Sequence, residues 1–394
     1  MHFKRIDQLR GFAALAVVLC HVKGSAEGVV VDPSHQSLFW LSGLMGWGYL
    51  GVPLFFVISG LCIHLPTASA LAAGRSARPD WQRFFQRRFW RLYPAYLAAL
   101  VLAGGLLFMI RGELPVSWRG VLAEVFLVHT LYPTTFEGLN PPDWTLALET
   151  QLYLAYPMVW ALFGRLGGWR GLGVVMMVTM LFRASLNFGW VPAQLGGVAW
   201  EIFLARWFEW ALGALIALWA VGLVTMPRLA RAPAIAALVL ALTVRAEWEM
   251  WRTGWYTFKE PLYGVAFALV VLVTLDRERA GKPTAITAIG RYLADVGVYS
   301  YSLYLLHRPI QSAFEPVVGR LAAAGFFGLQ PLTASLLLMT ATTPVVLMAA
   351  RIFHRYCEAP CVEIARRVGH VPRSRDRIDA PPVVLAGFDH EGAH

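Results

Sequence analysis

Long apolar runs recur along this chain, at 7–27, 44–65, 92–110, 144–163, 171–188, 200–221, 261–275, 292–318 and 328–350. In lipid, a backbone N–H or carbonyl finds no water. A spanning segment must close its own hydrogen bonds as a helix or join a closed barrel. These runs are longer and more continuous than the alternating segments of barrel strands. The expected fold is all-α, a polytopic membrane helix bundle. Composition agrees, with 57% of the 394 residues hydrophobic, only 15% charged and a mean hydropathy of +0.54.

Two further runs, 119–131 and 232–244, are shorter than the roughly 20 residues a span requires. The first, "RGVLAEVFLVHTL", also holds Glu124 and His129 and reads as a re-entrant or interfacial helix. The second extends into "TVRAEWEMW". The sum is about ten spans, which puts both termini on one side. With the amino terminus in the cytoplasm, the inner segments and inner span ends hold 24 Lys and Arg and the outer ones nine. That bias matches the positive-inside tendency. The reading is a multi-pass membrane protein with both termini cytoplasmic and its membrane domain at 1–352. A cytoplasmic tail follows at 353–394, polar and without periodicity after 368, a composition that favours disorder.

The net charge of +10 does not point to nucleic acid, because the arginines sit mainly in short loops between apolar runs. Anionic lipid headgroups and topology account for them. The four cysteines, Cys20, Cys62, Cys357 and Cys361, match no zinc spacing, and no metal site is expected. The first run resembles a signal peptide in length, but no small-residue cleavage site follows. It is taken as a retained span.

Ionisable residues at membrane depth are costly and point to function. In "RIDQLRGFAALAVVLCHV", Arg10 and His21 are eleven residues apart. Three helical turns return them to nearly one face, with about 16 Å of rise between them. Glu149 lies in "PPDWTLALETQLYLAYP", about one and a half turns inside its span. "VGVYSYSLYLLHRPI" carries Ser302, Tyr304, His307 and Arg308 on one helix. His21 and His307 each stand roughly 21–22 Å along their spans, so they and Glu149 reach similar depth on independent helices. In "WQRFFQRRFWRLYPAYL", Arg83, Arg87, Arg88 and Arg91 form a cationic helix face. Clustered guanidinium groups suit a ligand with several phosphates, although ordinary topological anchoring also uses arginine. "GVPLFFVISG" offers Gly51, Ser59 and Gly60 as close-packing residues.

Together these stretches resemble acyltransferase family 3. The resemblance is carried by the Arg10-x10-His21 pattern, "GVPLFFVISGLCI", "RRFWRLYPAYL", "WTLALETQLYLAYP", "SYSLYLLHRP" and "FHRYCEAPCVEI", in that order from residue 5 to 364. It implies transfer of an acyl group, usually acetyl, from acyl-coenzyme A to a hydroxyl of a carbohydrate or glycolipid. Acyl-coenzyme A is then a donor substrate, and no permanently bound cofactor is expected. Relatives commonly carry a second acidic residue where this chain has Thr150, and an aromatic one where it has Arg308.

On this reading His21 is the general base, since imidazole titrates near neutral pH. Glu149 orients it, and His307 and Tyr304 assist the oxyanion or position the acceptor. Arg10, Arg87, Arg88 and Arg91 hold the donor phosphates, while Ser302 and Arg308 complete the substrate site. The rival reading is a proton-coupled transporter or exporter, which also needs His, Glu and Arg at membrane depth. A purely structural scaffold would leave those charges dispensable.

Overall fold

The long apolar runs fold as helices, some of them broken in two, in the computed structural model of the chain. The structure describes residues 3–28, 39–75, 79–136, 138–192, 197–281, 288–325, 328–329 and 331–369. Among them there is helix and turn but no strand. In order the helices are α1 (Lys4–Gly28), α2 (Phe39–Gly46), α3 (Gly51–Ala72), α4 (Trp81–Arg111), α5 (Trp118–Val125), α6 (Trp144–Leu166), α7 (Gly168–Asn187) and α8 (Phe203–Ala220). Then come α9 (Pro233–Thr253), α10 (Lys259–Arg279), α11 (Ala288–Val298), α12 (Ser300–Ala323), α13 (Pro331–Ala341), α14 (Thr343–Phe353) and α15 (Ala359–Gly369).

Among the described residues, six helical segments are long and apolar enough to cross a membrane: Lys4–Gly28, Gly43–Ala72, Trp81–Arg111, Gly168–Asn187, Val198–Ala220 and Leu332–Val368. Helices α6, α9, α10 and α12 have span length, at 23, 21, 21 and 24 residues. They are less apolar because each carries ionisable residues, such as Glu149, Glu247, Glu260 and His307. The run at 119–131 forms only the eight-residue α5 and a 3-10 turn, too short to span.

The bundle is drawn tight where small residues let backbones meet. Helix α3 packs most extensively on α8. A Cβ added to Gly60 would stand 1.9 Å from the Trp210 carbonyl oxygen, and one on Gly213 the same distance from that of Val57. At Gly51 the Ala13 carbonyl would be 2.5 Å away. Gly51 and Gly60 thus have the close-packing role expected of them, whereas Ser59 makes a polar contact described below. Close backbone approach through small residues is a main source of helix association in lipid. Gly213→Val should therefore force α3 and α8 apart. Overpacking of this kind costs about 1–3 kcal/mol, read as a lower midpoint of thermal unfolding in detergent. An unchanged midpoint would mean that this contact does not hold the bundle.

Three runs that read as continuous are interrupted, 44–65 by a 3-10 helix at Trp47–Leu50. The 292–318 run breaks at Tyr299, between α11 and α12. There the Ser302 backbone N–H donates to Glu358 Oε2 at 3.2 Å, in place of a carbonyl one turn back. The 328–350 run breaks at Thr342, two residues before Pro344, whose ring removes a helical N–H. The tail expected from 353 begins as a short π-helix, His354–Glu358, and continues as α15 packed on α4. The part expected to be disordered lies almost wholly outside the described residues, from 370 onward.

Candidate functional site

A cavity of about 130 Å³ opens among α1, α3, α4, α6 and α12. Arg10, Arg88 and Arg91 line it together with Glu149 and Glu358. Three cations on two separate helices thus meet in one space; of the four arginines spaced along α4, only Arg88 and Arg91 take part. Arg87 and Arg308 are not among its lining residues. One step along a helix turns a side chain by about 100°, so Arg87 and its neighbour Arg88 face different ways.

Arg88 is placed by aromatic rings. Its guanidinium carbon lies 5.7 Å from the ring centres of both Phe84 and Tyr153. Its buried Nε has no hydrogen-bond acceptor among the described residues. A buried cation with an unused donor is expensive, and an anionic ligand in the cavity would relieve that cost.

The two carboxylates in the cavity wall are already held. Glu149 Oε1 accepts from Ser59 Oγ at 2.8 Å and from the Tyr153 hydroxyl. Ser59 in turn accepts from Trp210 Nε1 at 3.3 Å. Glu149 therefore takes its hydrogen bonds from α3 and α6. The expected pairing with His21 is replaced by these contacts. Glu358 Oε2 accepts from Ser302 Oγ at 2.5 Å and faces His354 Nδ1 at 2.9 Å. The Ser302 hydroxyl is thus spent on fixing Glu358 at the start of α12 and is not free for a substrate.

His21 finds a different partner. Its Nδ1 lies 3.0 Å from the Val17 carbonyl oxygen and 3.3 Å from His307 Nε2. His307 Nδ1 lies 2.7 Å from the Tyr304 carbonyl oxygen. A carbonyl only accepts, so the nitrogen facing it carries the proton. This assigns the tautomers. His307 is protonated on Nδ1, leaving Nε2 to accept from His21 Nδ1–H. The lone pair of His21 is then on Nε2, which has no hydrogen-bond partner among the described residues. The rings meet edge to face, with centroids 4.8 Å apart. His307 is fully buried, while His21 is partly exposed.

Tyr304 joins the two clusters. It lines the arginine cavity, and its ring centre is 5.5 Å from that of His307. Its hydroxyl donates to the Pro142 carbonyl at 2.8 Å and accepts from Thr145 Oγ1 at 2.7 Å. The proton expected for an oxyanion is thus committed to the Pro142 carbonyl. Arg308 donates to Ser25 Oγ at 2.8 Å and pairs with Glu315 at 2.5 Å, which ties α12 to α1.

The proline of "HRP" explains another contact. Pro309 has no N–H for the Leu305 carbonyl one turn back. Asn140 Nδ2 supplies the missing donor at 3.0 Å. Glu124, fully buried, accepts from the backbone N–H groups of Leu139 and Asn140 at 2.7 and 3.1 Å. The segment before α6 is thereby pinned against α12 beside Tyr304.

Sequence reading missed Glu358, Tyr153 and Ser59 as parts of the site. It also missed a buried ion network. Arg206 lies 2.8 Å from Glu209, 3.3 Å from Glu201 and 3.9 Å from Glu260, which also pairs with Arg183. Arg206 stacks over Phe56, a residue of the cavity wall, at 5.2 Å. The signal was present in "FLARWFEWAL", which places Arg206 and Glu209 three apart inside an apolar run.

The comparisons with known proteins bear on this geometry. A family profile described as an acyltransferase domain matches residues 3–351. The chain belongs to acyltransferase family 3. It is 25% identical over 389 residues to the acyltransferase MdmB of Streptomyces mycarofaciens, covering 91% of each chain. It is 30% identical over 326 residues to the putative membrane-bound transacylase BcsY of Komagataeibacter xylinus, 77% of this chain and 72% of that one. With the O-acetyltransferase OatA of Staphylococcus aureus it shares 31% identity over 166 residues, 39% of this chain and 24% of OatA. No solved structure matches the chain. Membership in the family makes this family 3 protein a membrane O-acyltransferase, and it sets aside the transporter and scaffold readings.

Proposed function

We propose that the protein transfers an acyl group, acetyl among others, from acyl-coenzyme A to a hydroxyl of a carbohydrate or glycolipid. The arginine-lined cavity beside the histidine pair carries this reading. Arg10, Arg88 and Arg91 would neutralise the donor phosphates, with the unused Arg88 Nε as one donor. The names of OatA and BcsY, an O-acetyltransferase and a membrane-bound transacylase, support acyl transfer at a membrane. The charge bias of the loops supports about ten passes in the inner membrane, both termini cytoplasmic, with the donor entering from the arginine side.

In the reaction, His21 Nε2 takes the proton of the acceptor hydroxyl as its oxygen attacks the thioester carbon. The C–O bond forms and the C–S bond breaks. The proton passes to the departing thiolate, giving an ester and free coenzyme A. The imidazolium formed on His21 keeps its Nδ1–H directed at the Val17 carbonyl and His307 Nε2. His307 thus takes the orienting role expected of Glu149. Glu149, fixed by Ser59 and Tyr153, is a group of the donor cavity.

Arg88→Ala should raise the KM for the donor. Hydrogen bonds to charged groups are worth about 1.5–3 kcal/mol, so the rise should be roughly tenfold to a hundredfold, with kcat changed much less. A donor KM within threefold of wild type would remove Arg88 from donor binding. The function itself is tested by mass spectrometry of surface glycans from cells with and without the gene. The expected result is loss of an acyl ester on deletion and its return on complementation, and identical glycans would count against a carbohydrate acceptor.

A further inference from the structure

Two residues beyond His307, a buried proline interrupts the hydrogen bonding of α12. Pro309 has no N–H for the Leu305 carbonyl, and a proline ring crowds the carbonyl one turn back. Leu305 is fully buried. A buried carbonyl left without a donor is costly, and its own helix has lost the usual one.

The donor comes from the segment before α6. Asn140 Nδ2 bonds the Leu305 carbonyl at 3.0 Å and also donates to Asp143 Oδ1 at 2.9 Å. A carbonyl only accepts, so the amide nitrogen must face Leu305. Both amide protons are then spent, and the side chain has one orientation. Glu124 fixes the backbone of the same residue, accepting from the N–H groups of Leu139 and Asn140. A Cβ added to Gly138 would overlap the Glu124 carboxyl group, so glycine is what lets the carboxylate come this close. Glu124, Asn140 and Asp143 are all buried.

These contacts converge on the histidine pair. The Tyr304 hydroxyl is held by the Pro142 carbonyl of the same segment. Adjacent residues of α12, Tyr304 and Leu305, are therefore fastened from one side. The Tyr304 carbonyl is the one that faces His307 Nδ1. One turn beyond His307, Gln311 Nε2 donates to the Val18 carbonyl of α1 at 3.1 Å. The contact between His307 and His21 lies between these two fastenings.

We propose that Asn140, held by Glu124 and Asp143, is a positioning residue for acyl transfer. It replaces the N–H that Pro309 lacks and so sets the place of His307 against His21. The inference rests on His21 as the general base. Helices bend at proline, and without Asn140 nothing restrains α12 at Leu305. A displacement of about 1 Å in catalytic geometry can cost a hundredfold in rate. Donor affinity should be spared, because Arg10, Arg88 and Arg91 stand on α1 and α4.

The test uses the purified full chain in lipid nanodiscs, with acetyl-coenzyme A and a membrane glycan fraction. Rates are normalised to protein that binds the donor. Asn140→Leu keeps the size and removes the donor group, and should lower kcat roughly tenfold to a hundredfold with the donor KM within threefold. Asn140→Ser keeps a shorter donor and should lose less. Pro309→Ala restores a helical N–H to the Leu305 carbonyl, so in that background Asn140→Leu should lower kcat less than threefold. The same loss in both backgrounds would overturn the proposal. So would a raised donor KM at unchanged kcat, or unfolding midpoints that couple the two positions while kcat does not. Full activity in His21→Ala would instead overturn the base reading on which the proposal stands.

Discussion

Replacing His21 with alanine should leave a folded, membrane-inserted protein whose rate of acyl transfer is lower by roughly 10²–10⁴-fold, the usual loss on removing a general base. The expectation follows from the tautomers. His307 Nδ1 faces a carbonyl, His307 Nε2 therefore accepts from His21 Nδ1, and the His21 lone pair is left on Nε2. Donor affinity should stay within threefold, because the arginines of the cavity do not touch the imidazole pair. His307→Ala should be slow as well, and it should also move the pH–rate profile, since it removes the acceptor for His21 Nδ1–H. Glu149→Gln should lower the rate through the donor cavity. Transfer within threefold of wild type in His21→Ala would remove His21 from the mechanism.

The largest effect on stability is expected at Arg206. Its guanidinium is buried among Glu209, Glu201 and Glu260. Removing one partner of a buried ion pair strands the others and costs about 3–5 kcal/mol. Arg206→Ala should therefore yield little folded protein, with a much lower unfolding midpoint in detergent. Replacing Arg206 and Glu209 together by apolar residues of similar size should recover a large part of the loss, because a missing pair costs less than a broken one. A single variant as stable as wild type would show that water or lipid headgroups reach the network.

The helices were legible because lipid leaves the backbone few alternatives, and each apolar run had the length a helix needs. The break at Tyr299 was not, because its cause, Glu358, is far away in sequence. The depth of His21 and His307 followed from helical rise, and the two do meet. Rise fixes height but not direction, so the same arithmetic suggested Glu149 as a partner for His21, and the structure turns Glu149 toward Ser59 and Tyr153. The spacing of the arginines marked Arg88 and Arg91 but did not separate them from Arg87. Ser302 and Tyr304 were noticed as polar residues on the right helix. Their hydroxyls proved committed to Glu358 and Pro142, contacts that depend on how distant segments fold back. Arg206 and Glu209 were legible by the rule applied to Glu149, since both are ionisable residues inside an apolar run.

If the arginine cavity presents a thioester to a hydroxyl activated by His21, purified protein in nanodiscs should release free thiol from acetyl-coenzyme A and form ester on a membrane glycan fraction in equal amounts. Both should be lost in His21→Ala, and both should need far more donor in Arg88→Ala. Thiol release without ester, or release that neither substitution alters, would show that the cavity and His21 do not act together in acyl transfer.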